Sequence, residues 1–197
     1  MVASTRERIL DAAMELFGQQ GFKATSIVQI EKAAGLSEGS GGIYHHFRTK
    51  KALLEAGIER HLQRLNALRD IQHILTDLGD LSAELTVLGR YALAELDGEA
   101  DLLRVVLAEA RTQPELINTA IDQLVGATYT GFSHWLTHRT GITSQRADAL
   151  AAVGLGALFS ARLLRLLIGR DPINIPDETF IATWVQTLHD QIKSNPD

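Results

Sequence analysis

The sequence predicts an all-α protein, in which a three-helix N-terminal region precedes a longer helical region. Apolar residues recur at intervals of three and four along most of the chain, which is the period of amphipathic helices. Glycine and proline stand between these stretches, where helices end, and we find no strand-like alternation of apolar and polar residues. A chain of 197 residues can form two domains. We place them at residues 1–48 and 49–197.

Composition narrows the class of protein. With 45% hydrophobic and 22% charged residues, the chain is typical of a globular protein. The absence of cysteine excludes disulfides, thiolate zinc sites and cysteine nucleophiles. The N-terminus does not have the form of a secretion signal, and the longest uncharged apolar run, residues 149–161, is too short to span a bilayer. We therefore expect a cytoplasmic protein that does not enter the membrane and uses no cofactor.

Positive charge is concentrated in one part of an acidic chain. The net charge is −5, yet residues 23–51 carry five basic and two acidic side chains. A local basic patch of this kind can hold phosphates, with an affinity that falls as salt rises.

The first helix is predicted to start at Ser4, because Ser4 and Glu7 have the spacing of a capping box. Its buried stripe follows at intervals of three and four, and Gly21 ends the helix. The stripe consists of Ile9, Leu10, Ala13, Leu16 and Phe17. Its role is to pack behind the helices that follow.

Residues 25–51 have the form of a helix-turn-helix. Ser26 with Gln29 forms a second capping box. Gly35 follows the last helical residue, where a left-handed backbone ends a helix cheaply. Ser37 can cap a second short helix, which in such motifs lies in the DNA major groove. Thr49 is expected to cap the long helix from Lys50 to about residue 75.

The flanking residues make the pattern more specific. Upstream lie Arg8-Ile9-Leu10-Asp11-Ala12-Ala13, Leu16-Phe17 and Gly21-Phe22, and downstream lie Ile43-Tyr44-His45-His46-Phe47, Lys50 and Leu53. The run from Arg8 to Leu53 resembles the N-terminal domain of the tetracycline-repressor (TetR) family of transcription regulators. The resemblance covers about a quarter of the chain. It implies a homodimeric regulator that binds a palindromic double-stranded DNA operator. It also implies a C-terminal domain that can bind a small-molecule effector.

The resemblance and the position of each residue give the expected DNA contacts. Tyr44 and Lys50 match phosphate contacts of the family, and Thr25, with Ser26 beside it, offers a further hydroxyl. The best candidates near the bases are Ser37, Glu38, Ser40, Gly41 and His45.

Two departures from the family pattern fall in this region. The segment 38–43 is about two residues longer than usual and holds three glycines, which disfavour a helix. It is either a turn that merely tolerates glycine or a place where backbone N–H groups approach DNA. Glu31 stands where a small residue is usual. We expect its carboxylate to accept backbone N–H groups at the start of the second short helix.

Five further helices are predicted near 81–96, 99–112, 114–138, 144–168 and 177–193. The last two carry small and apolar stripes that can pair within one chain or form a four-helix dimer interface, and we favour the dimer. The expected interface is Gly154, Ala157, Ala161, Leu164, Ile168, Ile181, Trp184, Val185 and Leu188.

An effector cavity is a second expectation for the C-terminal region. The candidate lining residues, each of which plain core packing also explains, are Tyr91, Leu103, Leu107, Tyr129, Phe132, Trp135 and Phe159. His134 and His138 have a spacing that can bind a metal, but no carboxylate pattern supports a site, so we predict none.

The sequence thus predicts a DNA-binding regulator, most simply a ligand-responsive repressor, and no enzyme. The alternative is a small-molecule-binding helical protein without useful DNA binding, for which the acidic total and the glycine run leave room. A helical enzyme would need an acid, base or metal set, and no such motif stands in the sequence.

Overall fold

The computed structural model describes residues 4–75, 79–112, 114–172 and 174–194, and this part of the chain contains helices and turns but no strand. The predicted all-α class is confirmed. In chain order the elements are α1 (Thr5–Gln20), α2 (Ile27–Ala33), a 3-10 helix (Gly42–His45), α3 (Lys50–Leu75), α4 (Leu81–Gly98), α5 (Ala100–Glu109), α6 (Pro114–Ile121), a π-helical turn (Asp122–Gly126), α7 (Ala127–Thr140), α8 (Ser144–Ile168) and α9 (Asp177–Lys193).

The chain divides into two compact units. The first combines Met1–Arg64 with Glu99–Asp122, and the second combines Leu65–Gly98 with Gln123–Asp197. The boundary expected from sequence, after residue 48, therefore does not coincide with the limits of the compact units, because α5 packs on α1 and α6 packs on α5.

The predicted start of α1 is confirmed. Ser4 Oγ accepts the backbone N–H of Glu7, and the Ser4 backbone N–H donates to Glu7 Oε2 over 2.9 Å. The bond from the Ser4 N–H is the main reason that the pKa of Glu7 lies below its ordinary value. The helix ends at Gly21, as predicted. Its predicted stripe is buried, apart from the partly exposed Leu16.

α3 is anchored to the first unit at both its start and its middle. Thr49 Oγ1 accepts the backbone N–H of Ala52 over 2.9 Å, so the predicted cap is confirmed. Arg60 forms an ion pair of 2.8 Å with Asp11 of α1. His61 Nδ1 contacts the carboxylate of Glu99, which comes just before α5.

Helices α4, α7, α8 and α9 form the core of the second unit. Its buried residues are Leu85, Leu93, Leu136, Ala147, Leu150, Ala151, Leu158, Ile181, Trp184, Val185 and Leu188. Trp184 Nε1 donates to the backbone oxygen of Gly154 over 2.8 Å, so α8 and α9 meet at a residue without a side chain. A Cβ on Gly89 of α4 would lie 2.9 Å from Ile181 Cδ1, which shows that α4 also packs closely on α9.

Arg162 joins three elements of the second unit. This arginine is 7% exposed, and its guanidinium contacts Asp177 at 2.6 Å and Asp97 at 2.8 Å. The hydrogen bond from Arg162 holds the pKa of Asp177 below its ordinary value. The buried charge of Arg162 is thereby paired with a carboxylate on each side. An unpaired arginine in such a buried position would destabilise the fold.

One predicted helix is divided in the structure. The pattern at 114–138 suggested a continuous helix, whereas the structure has α6, a π-helical turn and then α7. Such a turn keeps the chain helical but closes its hydrogen bonds five residues apart, so it interrupts the regular α-helix without ending the helical path.

Among the described residues, α8 alone is long and apolar enough to cross a membrane by length and composition. Core helices of soluble proteins pass the same test, so the observation is weak by itself. Val153 is 66% exposed and Leu167 is 57% exposed on this helix.

Candidate nucleic-acid interface

α2 begins and ends as the sequence predicts. Ser26 Oγ accepts the backbone N–H of Gln29 over 3.2 Å, and the Ser26 N–H donates to Gln29 Oε1 over 2.7 Å. After α2, Gly35 adopts φ +70°, and the N–H of Leu36 returns to the carbonyl of Glu31 over 2.8 Å. The chain can therefore leave the helix abruptly at this glycine.

The segment Ser37–Gly41, which we call the reading loop, contains a tight turn. Gly39 and Gly41 both adopt φ +71°, a left-handed conformation that L side chains rarely take. The Ser40 N–H donates to the Ser37 carbonyl over 3.2 Å. The prediction of a second short α-helix starting in this segment is therefore wrong. A four-residue 3-10 helix, Gly42–His45, follows the loop instead.

Glu31 holds the reading loop from behind. The Gly39 N–H donates to Glu31 Oε2 over 2.8 Å, and the Glu31 side chain is fully buried. This contact confirms the expectation that the carboxylate accepts a backbone N–H in this segment. A charge-assisted bond in a buried place is stronger than a neutral one, so it can hold an otherwise flexible loop.

The candidate side chains of the reading loop and the 3-10 helix lie on the surface. Ser37, Glu38, Ser40 and His45 are exposed, and Tyr44 is 54% exposed. Ser37 was expected to cap a helix, but its backbone oxygen accepts the turn bond instead. Glu38 lies 3.4 Å from Lys32 Nζ, a pair open to solvent on both sides. Such an exposed pair is weak and can exchange for contacts with DNA.

The segment Gly21–Thr25, which we call the entrance loop, leads into α2 and is held by Lys50. The Lys50 ammonium donates to the carbonyl of Phe22 over 2.6 Å and to that of Thr25 over 2.7 Å. It also lies 4.4 Å from the centre of the Phe22 ring. Lys50 was expected to face a phosphate. The structure gives it an internal role, and its third N–H can still point outward.

Thr25 was expected at the surface, but the structure buries it. It is 1% exposed, and its hydroxyl donates to the carbonyl of Gly21 over 2.8 Å. Gln20 Nε2 donates to the same hydroxyl oxygen over 3.2 Å. The hydroxyl is therefore taken up inside the unit, which corrects the expectation of a phosphate contact from this side chain.

The residues expected at a dimer interface fall into two groups. Gly154, Ile181, Trp184, Val185 and Leu188 are buried inside the protomer, so they are not available to a partner in this form. This corrects the expectation, because the apolar stripe of α9 packs on α4 and α8 of its own chain.

The second group keeps accessible surface on α8. Ala157, Ala161 and Leu164 are partly exposed, and Ile168 is 51% exposed. These positions share the helix with the exposed Ala152 and Val153.

The expected effector-lining residues are divided between the two units. Leu103 and Leu107 lie on α5 in the first unit. In the second unit Phe132 stacks on Trp135, with ring centres 5.6 Å apart, and on Trp184 at 6.2 Å. The remaining candidates, Tyr91, Tyr129 and Phe159, are partly buried in the second unit.

The stacked rings of Phe132, Trp135 and Trp184, which we call the aromatic group, include one buried hydrogen-bond donor. Within the described ranges, Trp135 Nε1 is buried without a hydrogen-bond partner. Burial, together with Glu95, raises the pKa of Tyr91 to about 12. In the same ranges no group of three His, Asp or Glu residues could hold a metal ion.

Comparison with known proteins identifies the relatives of this chain. Residues 9–56 match the family described as bacterial regulatory proteins, tetR family. The chain is 26% identical to the uncharacterized HTH-type transcriptional regulator YvkB of Bacillus subtilis over 183 residues, which cover 90% of this chain and 91% of that protein. It is 33% identical to the HTH-type transcriptional regulator UidR of Escherichia coli over 116 residues, or 57% of this chain and 55% of that protein.

Solved structures extend the similarity to the whole fold. Salmonella enterica GusR matches with a TM-score of 0.66 at 25% identity, over 96% of this chain and 95% of that chain. A putative TetR-family regulator from Mesorhizobium loti matches with a TM-score of 0.71 over 96% of both chains, at 19% identity, which shows the fold alone.

Proposed function

We propose that this chain is a helix-turn-helix transcriptional regulator of the TetR family, and that it acts as a ligand-responsive repressor that binds a palindromic operator as a homodimer. The observation that carries the proposal is the reading loop. Its backbone is held from behind by Glu31, and its polar side chains are exposed. A surface of this kind is preorganised for contact with DNA, so little conformational entropy is lost on binding.

We propose that base contacts and phosphate contacts come from different residues. Ser37, Glu38, Ser40, Gly41 and His45 lie nearest the bases, where carboxylate and hydroxyl groups can read major-groove edges. Phosphate contacts come from Tyr44, whose hydroxyl has no partner in the described part of the chain, from the outward N–H of Lys50 and from Ser26. The proposal includes that residues 38–43 extend the usual family segment by about two residues.

The dimer is proposed to form on the exposed face of α8. Small residues there, such as Ala152 and Ala157, permit close helix approach, and Val153 and Leu167 add exposed apolar surface. A face of this kind is expected to be covered in a soluble protein. Two-fold pairing would place two reading loops on successive major grooves of a palindrome.

The effector site is proposed in the aromatic group of the second unit, with the functional division after residue 48 retained. The buried Trp135 Nε1–H is a donor that a ligand acceptor can satisfy. A ligand that favours one state of the protein shifts its DNA affinity by the difference in its affinity for the two states. Such a regulator acts in the cytoplasm, where its DNA is.

The decisive experiment is selection of DNA fragments by the purified protein from a random library at near-physiological salt. We expect an enriched palindrome, bound by a dimer in sedimentation analysis. The selected operator then serves for effector screening, with Trp135 fluorescence as the signal and Trp135→Phe as the control. A folded protein that enriches no sequence contradicts the proposal and favours a small-molecule-binding protein without useful DNA binding.

A further inference from the structure

The Phe22 peptide is held on both sides by charged side chains from distant parts of the sequence. Its N–H donates to Glu109 Oε1 over 2.7 Å, and its carbonyl accepts from Lys50 Nζ over 2.6 Å. The Phe22 ring lies against Phe17 of α1, with ring centres 5.3 Å apart. The peptide unit is therefore fixed in position and orientation by three elements, α5, α3 and α1.

Glu109 is built into this position. It is the last residue of α5 and is 4% exposed, and its second carboxylate oxygen accepts the hydroxyl of Thr112. The neighbouring Gly21 adopts φ +85°, which turns the chain so that the Phe22 N–H meets the carboxylate. A carboxylate that accepts a hydroxyl and a backbone N–H resists displacement, because each bond is charge-assisted.

The entrance loop leads directly into α2. Ser26, which caps the helix, stands four positions after Phe22, and the last carbonyl of the loop is held by Lys50. A change at the Phe22 peptide therefore moves the start of α2, and α2 carries Glu31, which holds the reading loop.

We propose that Glu109 is a positioning residue for DNA binding, acting through the Phe22 N–H without touching DNA. The inference rests on the proposed function. It assigns to Glu109 of α5, which is far from the reading loop in the sequence, a direct part in orienting the helix-turn-helix.

The sign of the effect separates this role from simple electrostatics. Glu109 carries a negative charge, and loss of a negative charge by itself strengthens the attraction to phosphates. Loss of the positioning contact weakens binding instead. Asp101 is the matched control, because it lies on the same helix, carries the same charge and has a side chain that pairs with Arg104 of its own helix in a partly exposed ion pair.

The experiment compares Glu109→Ala, Glu109→Gln and Asp101→Ala on the operator selected by the wild-type protein, at several salt concentrations. We expect Glu109→Ala to bind about tenfold more weakly, as loss of a charge-assisted bond implies, with an unchanged dependence on salt. Glu109→Gln keeps an acceptor and is expected to stay within about threefold of wild type. Asp101→Ala is expected to bind equally or slightly more tightly.

Each other outcome has a definite meaning. Glu109→Ala that is folded and binds as tightly as Asp101→Ala overturns the inference, as does a reduced salt dependence, which would mean a lost phosphate contact. Where circular dichroism shows Glu109→Ala to be unfolded, Glu109→Asp decides, since it keeps the charge and withdraws the carboxylate by one methylene. Wild-type affinity in Glu109→Asp then overturns the inference, and weakened binding supports it. A wild-type protein that selects no DNA overturns the proposed function itself.

Discussion

The entrance loop and the reading loop lie at opposite ends of α2 and are held in different ways. The entrance loop is fixed by Lys50 and Glu109, and Thr25 within it is buried. The reading loop has one buried side-chain anchor in the described contacts, the bond from the Gly39 N–H to Glu31, while its own polar side chains remain exposed.

The difference shows how a small unit can be rigid and still offer a free surface. At the entrance loop, the Thr25 hydroxyl and the Lys50 ammonium, which were expected to face DNA, form hydrogen bonds inside the unit. At the reading loop the anchor comes from behind and uses a backbone N–H, so the side chains stay available for recognition. Left-handed glycines make this possible, because they turn the chain without a supporting side chain.

The largest expected effect comes from removing the anchor of the reading loop. Glu31→Ala deletes the acceptor of the Gly39 N–H, a charge-assisted bond worth about 1.5–3 kcal/mol, so we expect operator affinity to fall roughly tenfold to a hundredfold. Fluorescence anisotropy with labelled operator measures the change. Glu15→Ala is the control, because it removes the same charge from an exposed position. Equal operator affinities for the two variants would show that Glu31 does not contribute to DNA binding through the reading loop.

The next effect tests whether Lys50 serves the entrance loop alone. Lys50→Ala is expected to weaken binding roughly tenfold, and a lost phosphate contact would also lower the slope of log affinity against log salt by about 0.9. Lys51→Ala is the control, because Lys51 is adjacent and contacts only the exposed Glu55 among the described residues. Weakened binding with an unchanged slope would assign Lys50 to the loop and not to DNA. Unchanged affinity together with an unchanged slope would show that the docking geometry is wrong.

A smaller effect is expected from backbone strain in the reading loop. Gly39 adopts φ +71° and an added Cβ would meet nothing within 4 Å, so Gly39→Ala tests conformation without a steric clash. The strain, taken as about 1 kcal/mol, is expected to lower operator affinity about fivefold. Gly39→Asn, which tolerates the left-handed region better, should lose less. Equal losses in both variants would point to the missing close approach of the glycine backbone instead.

The Tyr44 hydroxyl is expected to contribute a single neutral hydrogen bond to phosphate. Tyr44→Phe should weaken operator and scrambled DNA alike, by about fivefold, because phosphate contacts carry no sequence information. Titration of both DNAs measures this. Tyr129→Phe removes the same atom outside the reading region and should have no effect. A loss confined to the operator would make Tyr44 a base contact.

The smallest change in affinity is expected at Glu38, where the informative result is the selected sequence. Glu38→Ala should change the consensus at one position in each half-site, because a carboxylate accepts from the cytosine amino group. Its affinity for its own best site should stay within about threefold of wild type. Repeating the selection measures this, with Glu55→Ala as the control. An identical consensus would show that Glu38 does not read a base.

Local contacts of the first unit could be predicted from the sequence. Both capping boxes, the left-handed Gly35 and the Thr49 cap depend on residues within three or four positions of each other, and all are present. The bond between Glu31 and Gly39 also spans a short distance in sequence, and a glutamate at a position where a small residue is usual was the signal for it.

Other features could not be predicted, because they depend on which face of an element turns inward. The stripe of α9 was consistent with a dimer or with a core, and only the packing of α4 against it shows that it is core. The 3-10 helix replaced a short α-helix since two left-handed glycines, Gly39 and Gly41, leave too few residues for regular turns.

By itself, the sequence determined the all-α class, most helix ends, the resemblance to the TetR family and the place of the reading loop, because helix period, caps and glycine conformations are set by near neighbours in the chain. The tertiary structure alone decided that Thr25 is buried, that Lys50 turns to the entrance loop and that Glu109 reaches Phe22 across 87 positions. Such contacts depend on how helices far apart in the chain come to lie side by side, and no local pattern carries that information.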